Sequence, residues 1–291
     1  MVDNNRRSWN KRGEPEYYIP RDYRFIAESG QTCKKSDGNP APVEIVVAVI
    51  SSLHNADRRQ RVRQTWGREF KNGANARVLF FLGVDKDNGT RSAIRNESLT
   101  YHDIVQHSHW DSYDNLSIKS VSVIRWVTSY CRHASYVFKV DDDALVNAPH
   151  LMSRLHMASK QTKYFLMCYV FKGSPVVRDP NHRWYISKQE YGGKSLPPYC
   201  GGFYAIVGKL VPVLYDTAIK QRLFRMEDVF ISSMVARRTG LPVRLVHNKA
   251  FSLWKAVSLK KPCDFRKQIA VTNYNQSEIR ALWDSYKAKC S

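Results

Sequence analysis

Apolar positions in this chain come in blocks separated by polar stretches. EIVVAVI (44–50) and ARVLFFLGV (76–84) are short, nearly unbroken apolar runs ending in polar residues, the pattern of strands buried on both faces of a parallel sheet. The charged stretch 57–66 between them predicts a helix. HDIVQ (102–106) is a weaker third strand, NLSIKSVSVIRWVTSYC (115–131) carries Leu116, Val121, Ile124 and Val127 at helical spacings, and SYVFKV (135–140) returns to strand. MEDVFISSMVARRTG (226–240) predicts a helix that closes at Gly240. Strands alternating with helices predict an α/β fold, a mostly parallel, Rossmann-like sheet flanked by helices in a single domain over 41–291. Residues 1–40 read as a stem or linker remnant, and Gly/Pro-rich 173–202 as an elaborate loop inside the domain. In such sheets ligands sit beyond the carboxyl ends of the strands, so chemistry is sought after EIVVAVI and SYVFKV.

Composition narrows the setting. With 291 residues, 43% of them hydrophobic, the chain buries a sizeable core, which excludes disorder over most of its length. Lys and Arg number 46 against 26 Asp and Glu, a net charge of +20 that favours an anionic partner without saying which. No apolar run approaches the ~18 to 20 residues of a membrane span, and the first residues lack the apolar segment of a signal peptide. Six cysteines, Cys33, Cys131, Cys168, Cys200, Cys263 and Cys290, include no CxxC pair, so three disulfides fit better than a zinc site. The residues alone leave their connectivity open. Sequons at Asn88, Asn96, Asn115 and Asn275 also favour an oxidising, glycosylating compartment. A targeting segment removed from, or never included in, this chain reconciles that compartment with the polar N-terminus.

SYVFKV runs directly into Asp141, Asp142 and Asp143. Three adjacent carboxylates repel one another, and a divalent cation offsets that charge; hard oxygen ligands with open positions suit Mn²⁺ or Mg²⁺ bridging to a diphosphate. The bland alternative is a solvated acidic turn or helix cap. Glu227 and Asp228, opening the helix at 226–240, would by themselves be ordinary helix-dipole contacts.

Five blocks in order resemble the β1,3-glycosyltransferases, the galactosyl-, N-acetylglucosaminyl- and N-acetylgalactosaminyltransferases related to fringe proteins. They are RRQRVRQTWG (58–67), HWDSYDNLSIKS (109–120), FKVDDDALVN (138–147), WYISKQEYGGKSLPPYCGG (184–202) and EDVFISSM (227–234). The C-terminal SEIRALWDSYKAKC is a sixth, weaker block, and the likeness runs from about Cys33 to Cys290. The resemblance implies a GT-A-like fold, a UDP-sugar donor, a divalent metal, Mn²⁺ or Mg²⁺, and inversion at the anomeric centre. It also implies a glycan acceptor on glycoprotein or glycolipid. The proteins it resembles are usually type II Golgi membrane proteins, so a luminal protein whose anchor is missing here, or a secreted form, is expected, with a homodimer compatible.

The same resemblance distributes roles. Asp143 and Asp141 would hold the metal, with Asp141 and Asp142 also toward the donor ribose and sugar. Arg63, of the RxTWG block, would line the nucleotide site, and Asp111 and Lys119 would contact uridine or phosphate. Lys139 reads as a counter-charge to the triplet, and Trp66 as core. Trp184 and Tyr185 would form a sugar-stacking wall or pack internally. Gly201 and Gly202 would let backbone approach a sugar, or permit a turn. Asp228 becomes the catalytic base, with Glu227 its structural partner or an acceptor contact. Cys263 with Cys290, and Cys168 with Cys200 bracketing the acceptor loop, are the pairs the resemblance implies, which leaves Cys33 and Cys131.

Two departures stand out. Ser232 occupies a position that is glycine in many members and could narrow the acceptor side of the cleft. Thr272 stands where a histidine is common, with His247 the candidate to replace it. A rival of another class is a non-catalytic, basic module binding heparin-like glycans on a decayed transferase fold. Nucleic acid is not expected as a partner, because no recognition motif is present and the compartment is wrong for it.

Overall fold

The computed structural model describes Ser8–Trp9, Pro15–Glu16, Ile19 and residues 23–73 and 75–290. β1 (Ser8–Trp9) and β2 (Pro15–Glu16) form a separate antiparallel pair. The core is an eight-stranded mixed sheet. Its strands are β3 (Phe25–Ala27), β4 (Ile45–Ile50), β5 (Ala76–Val84), β6 (Ile104–Trp110), β7 (Tyr136–Asp141), β9 (Phe165–Phe171), β10 (Tyr199–Val207) and β11 (Arg244–His247), in the order β11-β9-β10-β7-β4-β5-β6-β3. β8 (Leu145–Val146), β12 (Phe251–Ser252) and β13 (Ala270–Val271) make a small second sheet, ordered β12-β13-β8.

The four central strands, β7, β4, β5 and β6, run parallel. Every residue of β4 is buried, because side chains on both faces of a central strand meet covering helices. α1 (Ala56–Gln64) and α2 (Trp66–Gly73) follow β4, α3 (Asn88–Tyr101) follows β5, and α4 (Leu116–Tyr130) packs over β4, β5 and β6. α5 (Ala148–Gln161), α6 (Val211–Ala218), α7 (Glu227–Val229) and α8 (Gln276–Cys290) complete the layers. The helix predicted at 57–66 divides at Thr65, and Trp66, fully buried, donates its indole N–H to the Ala144 carbonyl at 3.0 Å. Gly67 is needed at the break: a Cβ there would sit 2.6 Å from the Val62 carbonyl oxygen.

From β4 the chain winds outward through β5 and β6, then returns to the other side of β4 as β7. That reversal opens a crevice at the carboxyl ends of β4 and β7, where such sheets bind ligands. β10, antiparallel, is inserted between β7 and β9. The loop predicted at 173–202 is shorter at its end, since β10 begins at Tyr199.

Three disulfides join Cys33 to Cys131, Cys168 to Cys200 and Cys263 to Cys290, the pairing the resemblance implied. The folded unit also begins earlier than residue 41. β3 pairs with β6, and Cys33 is bonded to the residue after α4, so part of the stretch read as stem belongs to the sheet.

Candidate active site

The acidic triplet does not act as one cluster. Asp142 turns inward, and its carboxylate accepts from the Ser51 hydroxyl at 2.6 Å, the Asn55 amide at 2.9 Å and Arg58 at 3.2 Å, while Arg61 donates to its carbonyl at 3.0 Å. Asp141 and Asp143 remain 44% and 43% exposed, so they are the two carboxylates left to face a ligand. Burial, then the charges of Asp141 and Asp142, push the Asp143 carboxyl above the ordinary carboxylate range. The Thr272 hydroxyl donates to Asp143 Oδ1 at 3.2 Å. Thr272 therefore stands beside the triplet itself. His247 does not replace a histidine there, because its Nδ1 accepts from the Val170 N–H at 3.0 Å and its ring packs on Tyr169.

Among the described residues no group of three or more His, Cys, Asp and Glu side chains is arranged to hold a metal. Two exposed carboxylates nonetheless suit a small hard cation that takes its remaining ligands from substrate phosphates and water.

Asp111 and Lys119 meet at 2.6 Å, both buried, and Lys119 also donates to the Ser51 carbonyl at 2.8 Å. Since Ser51 also serves Asp142, this ion pair and the inward acid share one anchor just past β4. Both oxygens of Asp111 are engaged, the second by the Gly83 N–H at 3.2 Å, so the pair forms a floor at the ends of β5 and β6.

Arg63 is not part of this constellation. Its guanidinium is bonded to Asp103 at 2.8 and 2.9 Å and to Glu97 at 2.7 Å, and lies 3.9 Å from the Tyr101 ring centroid. It ties α1 to α3 and the start of β6. Removing Arg63 leaves the buried Asp103 unpaired, while Arg59 keeps Glu97 at 2.6 Å, so Arg63→Met is expected to lower stability by about 3 kcal/mol. Chemical denaturation measures this, with the donor KM of the folded protein unchanged; an unchanged stability with a raised KM would restore a nucleotide role.

On the other side of β7, Lys139 is the central group. It donates to Glu227 Oε2 at 3.0 Å and to the Gly202 carbonyl at 2.8 Å, and lies 3.4 Å from Asp141 Oδ1. Burial acts to lower its ammonium, yet Asp141 and Glu227 together raise it above the ordinary lysine value. It is a link between the exposed acid and the ED pair, which is more than a counter-charge to its neighbours in sequence. Glu227 is buried and accepts from the Tyr204 hydroxyl at 2.6 Å, so it is a structural partner and not an acceptor contact.

Asp228 is partly exposed beside this network. Burial, then the charge of Glu227, push its carboxyl up to about 7; Lys139 and the backbone N–H groups of Val229 and Gly202 hold it back. α7 passes directly into a π-helical turn, Phe230–Val235. Ser232 does not narrow the cleft: it is buried in that turn, accepting from the Cys200 N–H at 2.8 Å and donating to the Asp228 carbonyl.

Gly201 and Gly202 form an irregularity in β10, where its register with β9 shifts between Cys200 and Tyr204. A Cβ on Gly201 would lie 2.3 Å from Phe171, and one on Gly202, at φ +61°, 2.6 Å from Leu253. The space over them is filled by the protein's own side chains and not held open for a sugar. Their contribution is to aim the Gly202 peptide, whose carbonyl meets Lys139 and whose N–H meets Asp228.

The loop before β10 is gathered by Arg178, which donates to the carbonyls of Ile186, Tyr191 and Gly193 at 2.7–2.9 Å. Trp184 is 49% exposed on it, while Tyr185 is half-buried. Arg183 stacks on Tyr113 at 4.5 Å, so the loop leans on the segment leading into α4, and Arg225, which precedes α7, ties the two by donating to the Arg183 carbonyl at 3.1 Å and pairing with Asp114 at 3.1 Å. Of the sequons, Asn88, Asn96 and Asn275 are exposed, whereas the Asn115 amide donates to the Trp110 carbonyl at 2.9 Å.

Sequence reasoning missed Ser51, Asn55, Arg58 and Arg61 as the residues that fix the triplet. The arginine-dense block before TWG was the available signal, with attention drawn to Arg63 instead.

The α/β sheet and the acidic crevice at the ends of its central strands define a ligand-binding α/β architecture, and comparison with known proteins gives the class. The family model described as Galactosyltransferase matches residues 57–247, and the chain belongs to that family of glycosyltransferases. It is 32% identical over 276 residues to "Beta-1,3-galactosyltransferase 1" of Mus musculus, covering 93% of this chain and 80% of that protein. It is 28% identical over 277 residues to "Beta-1,3-galactosyltransferase 2" of Homo sapiens, covering 94% of this chain and 63% of the relative. Among solved structures, a glycosyltransferase involved in glycosylation of the major capsid of PBCV-1 aligns with a TM-score of 0.40 at 10% identity, over 82% of this chain and 99% of that one. No helix among the described residues is long and apolar enough to cross a membrane.

Proposed function

We propose that the protein is an inverting, metal-dependent transferase that moves a hexose or N-acetylhexosamine from a UDP-sugar to a glycan hydroxyl in β1,3 linkage. Galactose is the first donor to test, because the relatives named above are β1,3-galactosyltransferases. The observation that carries this reading is the Lys139 bridge, which joins the exposed Asp141 at the end of β7 to the Glu227–Asp228 pair, where the Asp228 carboxyl is pushed up to about 7.

Asp141 and Asp143 would hold a divalent Mn²⁺ or Mg²⁺. Bound there, the cation supplies neutralising charge for the donor diphosphate. Asp228 takes the proton of the acceptor hydroxyl as that oxygen bonds to the anomeric carbon and the bond from that carbon to the diphosphate oxygen breaks, releasing UDP. One carboxylate suffices, since no covalent intermediate with the protein forms. Lys139 and Tyr204 hold Glu227 beside the base, so its charge helps keep Asp228 basic enough for the task. The Asp111–Lys119 floor and the loop carrying Trp184 would bound the nucleotide. The three disulfides support a luminal setting in the secretory pathway, of Golgi type.

A UDP-release screen over donor sugars and glycan acceptors, with and without Mn²⁺, tests the reading. UDP is expected from one donor only when both acceptor and cation are present. No transfer from any donor, together with binding of sulfated glycans, would favour the non-catalytic module that the net charge of +20 also allows.

A further inference from the structure

We propose that Trp254 forms a second acceptor subsite, stacking on the C–H face of the hexopyranose next to the sugar that receives the transfer. This rests on the transferase reading above. Trp254 follows a residue that touches both halves of the site. The Leu253 side chain lies over Gly202, which serves Asp228, and its carbonyl accepts from the Asn273 amide, next to the Thr272 that bonds Asp143. One residue further on, Trp254 is 49% exposed, a large apolar surface left in water at the rim of a charged crevice.

Its setting is built. Ser252 donates to the Trp254 carbonyl at 3.2 Å, and Lys255 is pinned to Glu278 at 2.8 Å, so the backbone on either side is held. Tyr169 meets the indole at 5.3 Å and 79°, a T-shaped contact that leaves at least one indole face open. Behind it the rings of Tyr169, Phe171 and Tyr199 succeed one another at 5.1 and 5.4 Å. That run ends at Tyr199, close enough to Asp228 for the carboxylate's charge to act on its phenol. A flat, open, rigidly mounted aromatic face suits the C–H face of a pyranose, whose hydroxyls then stay in water.

Position decides which sugar. The accepting hydroxyl must lie at Asp228, and Leu253 separates Gly202 from Trp254, so the indole takes the neighbouring unit. Trp184, also exposed, sits on the loop that leans on Tyr113, ahead of α4, and lies toward the other side of the crevice.

The experiment compares a methyl β-hexopyranoside with the matching disaccharide as acceptors for the full chain and its Trp254→Ala and Trp254→Phe variants. With Trp254→Ala the KM for the disaccharide is expected to rise about five- to tenfold. The monosaccharide KM, the donor KM and kcat should stay unchanged, and Trp254→Phe should recover most of the loss. Saturation-transfer NMR with UDP present should show disaccharide signals from the non-accepting ring in the unsubstituted protein, lost in Trp254→Ala. Equal effects on both acceptors, or none on either, overturn the subsite while leaving the transferase intact. Absence of transfer by the unsubstituted protein from any donor is seen before any variant is made, and overturns the transferase reading and the subsite with it.

Discussion

Replacing Asp228 by Asn is expected to lower the rate of transfer by a factor of about 10² to 10⁴, the usual worth of a general base, with UDP and Mn²⁺ affinity little changed. The amide keeps the shape of the side chain and an oxygen for the Val229 N–H, 3.0 Å away, but cannot take a proton. Because the Asp228 carboxyl is pushed up to about 7, the unsubstituted enzyme should be weak at acid pH, half active near 7 and level above it. Linkage gives a second, independent sign. The folded state holds this proton between the ordinary carboxylate value of 3.8 and about 7 while the unfolded state has released it, so Asp228 makes stability fall as pH rises through that window. Asp228→Asn should remove that fall and be at least as stable as the parent at neutral pH. Were Asp228 only a helix-dipole residue, the substitution would cost a few tenths of a kcal/mol and leave turnover intact. Measuring kcat and the denaturation midpoint across pH separates the two, and near-normal turnover in the folded variant would sink the assignment.

Asp143→Ala is expected to abolish transfer and Mn²⁺-assisted UDP binding while sparing the fold. Asp143 is unfavourably placed in the free protein, its carboxyl pushed up by burial and by Asp141 and Asp142, so losing it relieves repulsion. With it gone, one exposed carboxylate remains, too few ligands to keep a cation on a diphosphate. Asp142→Ala should behave in the opposite manner. Its carboxylate is bound by Ser51, Asn55 and Arg58; Arg58, partly exposed, keeps Asp143 at 3.9 Å, but the Ser51 hydroxyl and Asn55 amide lose their acceptor, which is expected to cost about 1–3 kcal/mol of stability. Titration calorimetry with Mn²⁺ and UDP, paired with thermal unfolding, distinguishes the variants. Activity retained in EDTA, or Mn²⁺–UDP affinity retained in Asp143→Ala, would overturn the metal role.

From the sequence, all three of Asp141, Asp142 and Asp143 had a place at the metal or the donor, and the structure withdraws Asp142 from that work. The residue between two exposed acids turns inward because it meets Ser51 and Asn55, which follow β4, a strand far off in sequence. Likewise Arg63 and Arg58 stand in the same arginine-rich stretch, yet the helix turns one toward Glu97 and Asp103 and the other toward the triplet. Asp111 and Lys119 were legible as the flanks of one block, but neither their pairing with each other nor the anchor Ser51 that Lys119 shares with Asp142 was. β10 and β11 escaped notice because β10 opens inside a glycine-rich stretch and β11 is only partly buried at the sheet edge, which blurs the apolar pattern, whereas β9, the unbroken apolar run FLMCYVF, was legible and was passed over.

By itself the sequence determined what depends on local pattern: β4 and β5 from their unbroken apolar runs, the α/β class from the alternation of strand and helix, and the acids at the end of β7. The tertiary structure alone decided which of those acids face a ligand, that Lys139 joins Asp141 to Glu227, and that Gly201 and Gly202 answer to Phe171 and Leu253. Side-chain partners of this kind are brought together by strand order and helix facing. Burial, charge and hydrogen bonding at such a site are properties of neighbours in space, which no local period in the chain encodes.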